Sequence, residues 1–362
     1  MIFSIFNKKD ATIYERYSNM NTGLDAILEV SKYVETSTNI YNSRILLDFS
    51  TSDFVAMLPT QSLLSASYHL KLTATEASEI PLEYDIYALP VSGTWGMGTG
   101  RLGSNPSASN GVSWLDRFGT ATGTGWLTAS YNVGSGANWA YINGGGNWYT
   151  NVAYTTTQSF DYETADLDID VTNVVRAWIS GTLDNHGIIL KRSFAAESSS
   201  LEYGSLKFFS KDSHTIYQPR IEVRYADAVN TGTNPTTSFA DEVVMKITNL
   251  QPQYKQDSKV RFNVSLRPKY PTITFATSSN YLDVYQLPVT SSYAILDAKT
   301  DDVIVPFDST YTKISSDSNG SYFKLYLNGL QPERYYRIAI KTQPSTSEEY
   351  IFDKNWIFKV TR

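Results

Sequence analysis

The chain contains no cysteine, which excludes disulfide frameworks, Cys-zinc sites and thiol chemistry. It has only three histidines, His69, His186 and His214, and no two have metal-ligand spacing on one short segment. Charge is sparse, at 18% of residues, with a formal net of −6. A nucleic-acid surface needs a clustered basic excess. Neither part of the chain supplies one: 15 basic residues stand against 23 acidic over 1–227, and 15 against 13 over 228–362. No apolar run approaches the roughly 20 residues that span a bilayer. Met1-Ile2-Phe3-Ser4-Ile5-Phe6-Asn7-Lys8-Lys9 lacks the apolar stretch of a signal peptide. The expectation is therefore no nucleic-acid binding, no membrane insertion and synthesis without a secretion signal.

What the chain has in quantity is aromatic: Phe, Trp and Tyr number 16, 7 and 26 in 362 residues. Tyr, Val, Ile and Thr suit the pleated surface of a sheet, and helical periodicity is weak, so an all-β protein of two domains is expected. Ala66, Tyr68, Leu70 and Leu72 alternate with polar neighbours, and Glu83-Tyr84-Asp85-Ile86-Tyr87-Ala88-Leu89 repeats the same period up to Pro90. Further strands are read at Asp10–Tyr14, Ala26–Val30, Ser43–Phe49, Gly187–Lys191, Leu206–Phe209 and Arg220–Tyr225. Short strands with turn residues between them predict a sandwich. A stretch rich in Asn, Thr and Gly over 228–238 reads as a linker, and 239–362 holds about seven more strands, the count of an immunoglobulin-like sandwich. Asn319-Gly320 signals a type I′ hairpin there.

Residues 93–146 differ from the rest, with 14 of the 21 glycines, and Trp95, Trp114, Trp126, Trp139 and Trp148 fall within 93–148. This segment, about 93–150, is read as an insertion outside the main sheets. Its aromatics, Trp126, Trp139, Tyr141, Trp148 and Tyr149, have three readings: packing of the insertion, a protein contact, or stacking on sugar rings. One short helix is expected over Asp170–Gly181, with Thr172 as N-cap, Val175, Trp178 and Ile179 on one face, and Gly181 as the stop. Just before it, Asp166, Asp168 and Asp170 alternate onto one strand face. Three readings are open: a solvated edge leading into the helix, oxygen ligands for a structural calcium, or a catalytic carboxylate pair, which one strand alone does not assign. No other cofactor is expected. No nucleotide fingerprint or nucleophile motif is present, since Gly96-Met97-Gly98-Thr99-Gly100 lacks a following helix.

The ordered set Asp10-Ala11, Asn21-Thr22-Gly23, Ser43-Arg44-Ile45-Leu46-Leu47-Asp48-Phe49, Trp95, Gly111-Val112-Ser113-Trp114, Asp170-Val171-Thr172 with Trp178 and Gly181, Asn185-His186-Gly187-Ile188-Ile189-Leu190-Lys191, Phe209-Ser210 and Pro219-Arg220-Ile221-Glu222-Val223-Arg224-Tyr225 resembles the DNRLRE-type domain. That is a β-sandwich module related to carbohydrate-binding modules. The chain departs from it at Asp48, His186 and Asp212, where Lys, Asn and Glu are usual. Leu330-Gln331-Pro332-Glu333-Arg334-Tyr335-Tyr336 has the spacing of a tyrosine corner, as in Ig-like or fibronectin-like sandwiches. The pairing of the two is similar to virion structural proteins of large tailed phages, marine ones above all.

The resemblance implies a jelly-roll-like sandwich over 1–227 with its Gly/Trp-rich insertion, followed by an Ig-like sandwich. It also implies a non-enzymatic virion protein of the tail, neck, fibre base or capsid surface, made in the host cytoplasm. Such a protein would oligomerise and contact other virion proteins. The alternative is an adhesion module that recognises host-surface polysaccharide.

Overall fold

The computed structural model describes residues 1–36, 39–57, 60–104, 110–119, 124–126, 144–161, 166–233, 243–270, 284–345 and 347–362. The protein is all-β and divides into two units, Ile5–Glu222 and Val223–Arg362 together with Met1–Ser4. Part of the stretch read as a linker, 234–238, lies outside the described residues.

In the first unit, strands β1 (Ile2–Phe6), β12 (Arg220–Arg224), β5 (Ser67–Leu72) and β9 (Leu167–Asp170) form the smaller sheet in that order; the division between units falls within β1 and β12. The larger sheet runs β6 (Ala74–Ser78), β11 (Gly204–Phe209), β3 (Ile27–Thr36), β4 (Asn39–Asp48), β10 (Ile188–Arg192), β7 (Glu83–Pro90), β8 (Thr156–Asp161), with β2 (Lys9–Tyr14) also paired to β4. In β5 the two-residue period places Tyr68, Leu70 and Leu72 in the interior, and β9 does the same with Leu167 and Ile169.

Strand β10 behaves differently. Its sequence, Ile-Ile-Leu-Lys-Arg, does not alternate and is buried at every position. A strand buried on both sides loses the polar–apolar alternation, and here both sides are covered. Ile45, Leu47, Ile86, Ala88, Ile188 and Leu190 share one face. Ala11, Ile13, Leu46, Leu89 and Ile189 on the opposite face pack against Trp95, Val112, Trp114, Trp126 and Trp148. The described residues of the Gly/Trp-rich segment therefore form a third layer packed on the large sheet, outside its strands.

The expected helix is α3 (Thr172–Ser180), with Val175 and Trp178 buried and Gly181 closing it in the left-handed conformation at φ 74°. Its start differs from expectation. Val171 holds the cap position without a side-chain bond, because the Thr172 hydroxyl is engaged elsewhere, accepting from the Tyr68 amide at 3.0 Å. Asp170 accepts from the Thr172 amide at 2.9 Å in its place. Among the described residues three more helices are present: α1 (Thr51–Met57), α2 (Thr60–Ser65) and α4 (Phe194–Ser198). At five to seven residues they are too short for a 3.6-residue period to show in sequence.

The second unit faces two sheets across one core. One is β13 (Val243–Ile247), β15 (Lys259–Pro268), β19 (Gly320–Tyr326), β18 (Ser315–Asp317); the other is β14 (Gln253–Lys255), β21 (Glu348–Thr361), β20 (Arg334–Ser345), β16 (Ser292–Asp297), β17 (Val303–Val305). Aromatic rings fill the gap: Tyr293 stacks on Phe323 at 4.3 Å and Phe262 on Phe323 at 5.2 Å. Ile2 joins this core and Phe3 stacks on Tyr326, which places Met1–Ser4 in this unit. The buried Tyr336 donates its hydroxyl to the Gln331 carbonyl at 2.8 Å, closing a tyrosine corner. The β18–β19 hairpin is present, but Asp317 pairs with Gly320. Its turn residues are therefore Ser318 and Asn319, neither of which has a positive φ, while Gly320 does at 121°. The expected type I′ turn is shifted by one residue and is not of that type.

Candidate functional site

Three places carry enough side-chain chemistry to be weighed as sites. The first is the aromatic layer itself. Three successive glycines with positive φ, Gly144, Gly145 and Gly146, bring the chain against Trp114, where the Gly145 amide donates to the Trp114 carbonyl at 2.6 Å. A Cβ on Gly145 would lie 2.4 Å from Arg44 Nη1, so only glycine fits. At the other end Asn21, fully buried, donates to the carbonyls of Met97 and Val112 at 2.8 and 2.7 Å and accepts from the Gly100 amide at 2.7 Å. Trp95 and Trp126 donate their indole N–H groups to His186 O and Ser113 O.

Between this layer and the sheet sits a buried ion cluster. Arg44 on β4 forks onto Glu197 of α4, Nε to Oε1 at 3.0 Å and Nη2 to Oε2 at 2.9 Å, and its Nη1 donates to Gly145 O at 2.5 Å. Lys191 on β10 reaches Glu197 Oε2 at 2.7 Å. All three side chains are 3–4% exposed. The Arg44 guanidinium stacks over Trp114 at 4.7 Å and Trp148 at 5.2 Å. Burial is the largest influence on Glu197 and opposes its charge, but Arg44 and Lys191 outweigh it and hold the carboxyl below its usual range. Burial lowers Lys191 to about 8, against the pull of Glu197. One carboxylate thus serves two cations and locks α4, the glycine turn and two strands together.

This geometry revises the expected contact residues. Trp126 and Trp148 are 5% and 6% exposed inside the aromatic cluster, so neither presents a ring to a partner or sugar. Tyr149 is half-buried, and its amide donates to Pro90 O at 2.9 Å. Trp139 and Tyr141 lie outside the described residues. Burying one indole removes about 150–250 Å² from water, roughly 4–6 kcal/mol at 25 cal/mol per Å² before ordering costs. That makes the interior the favoured place for Trp126 and Trp148.

The second place is the aspartate strand. Asp166, Asp168 and Asp170 do share the outer face, and each accepts from protein donors: Ala74 N at 2.7 Å, His69 Nδ1 at 3.0 Å with Lys71 Nζ at 3.2 Å, and Thr172 N at 2.9 Å. Burial works against the Asp168 charge, but the His69 bond and the Lys71 ammonium outweigh it and hold the carboxyl well below the usual range. Among the described residues, no three His, Asp or Glu side chains gather as a metal site.

The third is a groove of about 540 Å³ on the rim of the large sheet, lined by Tyr14, Asp25, Ile27, Glu29, Glu76 and Lys207 among others. Glu29 on β3 is its fixed centre, accepting from Tyr14 at 3.0 Å, Tyr33 at 3.3 Å and Ser205 at 2.6 Å. Burial, then the Glu29 charge, pushes the Tyr14 hydroxyl up, so it stays a donor. Burial also raises Asp25, opposed by the bond from Leu102 N. Glu76 and Lys207 pair at 2.9 Å on the open side. The groove offers carboxylate acceptors, a phenol and an ammonium to a polar ligand. Sequence reasoning missed Glu29, Arg44, Lys191 and Glu197. A lone charge inside an apolar run, as in Arg44-Ile45-Leu46-Leu47 or Ile188-Ile189-Leu190-Lys191, was the available signal.

No family model matches the chain, nor does any curated protein. Among the described residues, no helix is long and apolar enough to cross a membrane.

Proposed function

We propose that the protein is a non-enzymatic structural component of a tailed-phage virion, at the tail, neck, fibre base or capsid surface. It acts through contacts with other virion proteins and with copies of itself. One observation supports the structural part of this reading: the densest ion cluster among the described residues is consumed internally. Arg44, Lys191 and Glu197 are enclosed with Trp114 and Trp148. Such an arrangement stiffens a wall, and it leaves the exposed sheet edges and surface apolar side chains, Leu82, Val152 and Leu201 among them, as the contact-making parts. The assignment to a phage particle draws on the sequence resemblance. Mass spectrometry of purified particles is the test: the chain is expected at a fixed stoichiometry, and its absence from washed particles contradicts the proposal.

A second reading, polysaccharide recognition, is supported by the groove around Glu29. Trp148→Ala is unsuited to test it, because Trp148 is core. Glu76 and Lys207 form an exposed pair, so replacing both with Ala leaves the fold intact. Glycan-array binding that disappears in that double variant favours this reading, and a blank array for the native chain removes it.

A further inference from the structure

The outer face of one sheet in the second unit is almost wholly basic. Strands β13, β15, β19 and β18 carry Lys246, Lys259, Arg261, Arg267 and Lys324 against a single acid, Asp317. Phe262, Val264 and Leu266 point into the core, so the two-residue period turns Lys259, Arg261 and Arg267 outward. The ladder sets Lys324 directly opposite Arg261, and Lys246 opposite Ser265 beside Arg267. All five basic residues are exposed. Arg261 takes the one acid, Nη2 to Asp317 Oδ2 at 2.7 Å, and its guanidinium stacks on the Tyr322 ring at 3.6 Å. Lys324 thus faces a like charge, and like charges directly opposite each other destabilise a sheet.

The first unit holds the reverse. On β7 and β8, Glu83 stands directly opposite Asp161, and Asp85 follows two residues along on the same side. Neither strand contains a lysine or an arginine. Glu83 and Asp161 are exposed, and Leu82, next to Glu83 in the chain, is 66% exposed. The totals follow the same sign, with 15 basic residues against 23 acidic over 1–227 and 15 against 13 over 228–362. Two like-charged cross-strand pairs of opposite sign are therefore left in solvent, each lacking what the other supplies.

We infer that the basic face around Arg261 and Lys324 docks on the acidic rim around Glu83, Asp85 and Asp161 of a second copy of this chain. The two surfaces differ, so the contact is head-to-tail and repeats from copy to copy into a ring or a filament. Exposed charges steer such an encounter and set its register. The outward rings Tyr322 and Tyr326 are already covered by Arg261 and by Lys259 with Phe3, which favours a protein surface over stacked nucleobases. The inference rests on the reading that the protein contacts copies of itself, and it names the surfaces that do so.

The test is sedimentation velocity on the full chain over a concentration series, at about 0.05 M and about 0.5 M sodium chloride. Association is expected at the lower salt and its loss at the higher. Lys324→Glu gives Arg261 an opposite charge across the ladder, and Asp161→Lys does the same for Glu83. Each should keep or raise the thermal midpoint while weakening association about tenfold. The double variants Arg261→Glu with Lys324→Glu, and Glu83→Lys with Asp161→Lys, should each be monomeric alone and associate when mixed in equal amounts. A native chain that stays monomeric throughout overturns the inference, and so does association that high salt leaves undiminished or a mixture of folded double variants that remains monomeric. Retention on heparin that Lys324→Glu removes, in a chain that does not self-associate, overturns it in favour of a polyanionic ligand. None of these outcomes depends on finding the chain in particles, so the virion reading stands or falls separately.

Discussion

The two units differ in where their densest group of ions sits. In the first, Arg44, Lys191 and Glu197 are 3–4% exposed and lie under an aromatic layer. In the second, a row of ions lies on an open sheet face, with Arg337 paired to Asp301 and Asp353, Lys341 to Glu349 and Lys359 to Glu333, where the acids are 37–69% exposed; its one enclosed acid among these described pairs, Asp297 at 2%, takes a fork from an Arg334 that itself reaches solvent. The same residue types therefore have different energetic standing. An enclosed ion that loses its partner keeps its desolvation penalty, whereas an exposed one returns to water. The first unit uses charge to fix an otherwise glycine-rich chain in place, and the second leaves its stability to stacked rings.

Substitutions can break that contrast, and the largest effect is expected for Glu197→Gln. It leaves Arg44 and Lys191 buried without a counter-charge and should cost roughly 3–5 kcal/mol in urea unfolding; a loss below about 1 kcal/mol contradicts the buried-cluster account. Gly145→Ala comes next, because a Cβ there meets both Arg44 and the Trp114 ring at a φ of 86°. About 2–3 kcal/mol is expected, read from the same unfolding curves. Tyr336→Phe, in the second unit, removes one buried bond to Gln331 O and should cost about 1 kcal/mol.

Lys191→Met sharpens the comparison differently, because the Arg44–Glu197 fork survives and stays neutral as a pair. A change within about 1.5 kcal/mol is expected. Its pH signature is the diagnostic. The folded pKa of Lys191 is about 8 against 10.5 for an ordinary lysine. Between those values the unfolded chain binds more protons, so the native protein should gain stability as pH rises through this window. The Met variant should lack that gain, and equal pH slopes in the two proteins would refute the assignment. Lys359→Ala is the smallest case: its unfolding midpoint in urea is expected to match that of the native chain, and a clear drop would mean that the exposed ladder matters more than its solvation suggests.

Legibility in sequence followed the same divide. The second unit's strands and its tyrosine corner are local patterns: alternation places Phe262, Val264 and Leu266 inward, and Tyr336 reaches back five residues to Gln331. The first unit's β5 and α3 were equally legible, through Tyr68, Leu70 and Leu72 and through Val175, Trp178 and Gly181. The aromatic layer was not, since its organisation rests on distant pairings such as Asn21 to Val112, Gly145 to Arg44 and Arg44 to Glu197, across 91 to 153 residues. No periodicity encodes such contacts. The glycines pointed to a loop when their role is to let Trp114 and Arg44 approach the backbone. The groove around Glu29 escaped for the same reason, because Tyr14, Glu29, Glu76 and Lys207 meet only once β2, β3, β6 and β11 are assembled.

Native-state hydrogen exchange on the intact chain tests most directly whether the Gly/Trp segment is an inner wall. The amides of Val112, Trp126 and Gly145, which donate to Gly96, Leu115 and Trp114, should exchange as slowly as those of Leu46 and Ile189 in the sheet beneath, and all should speed up together in Glu197→Gln. Fast exchange of those three amides while β4 and β10 stay protected would contradict the account.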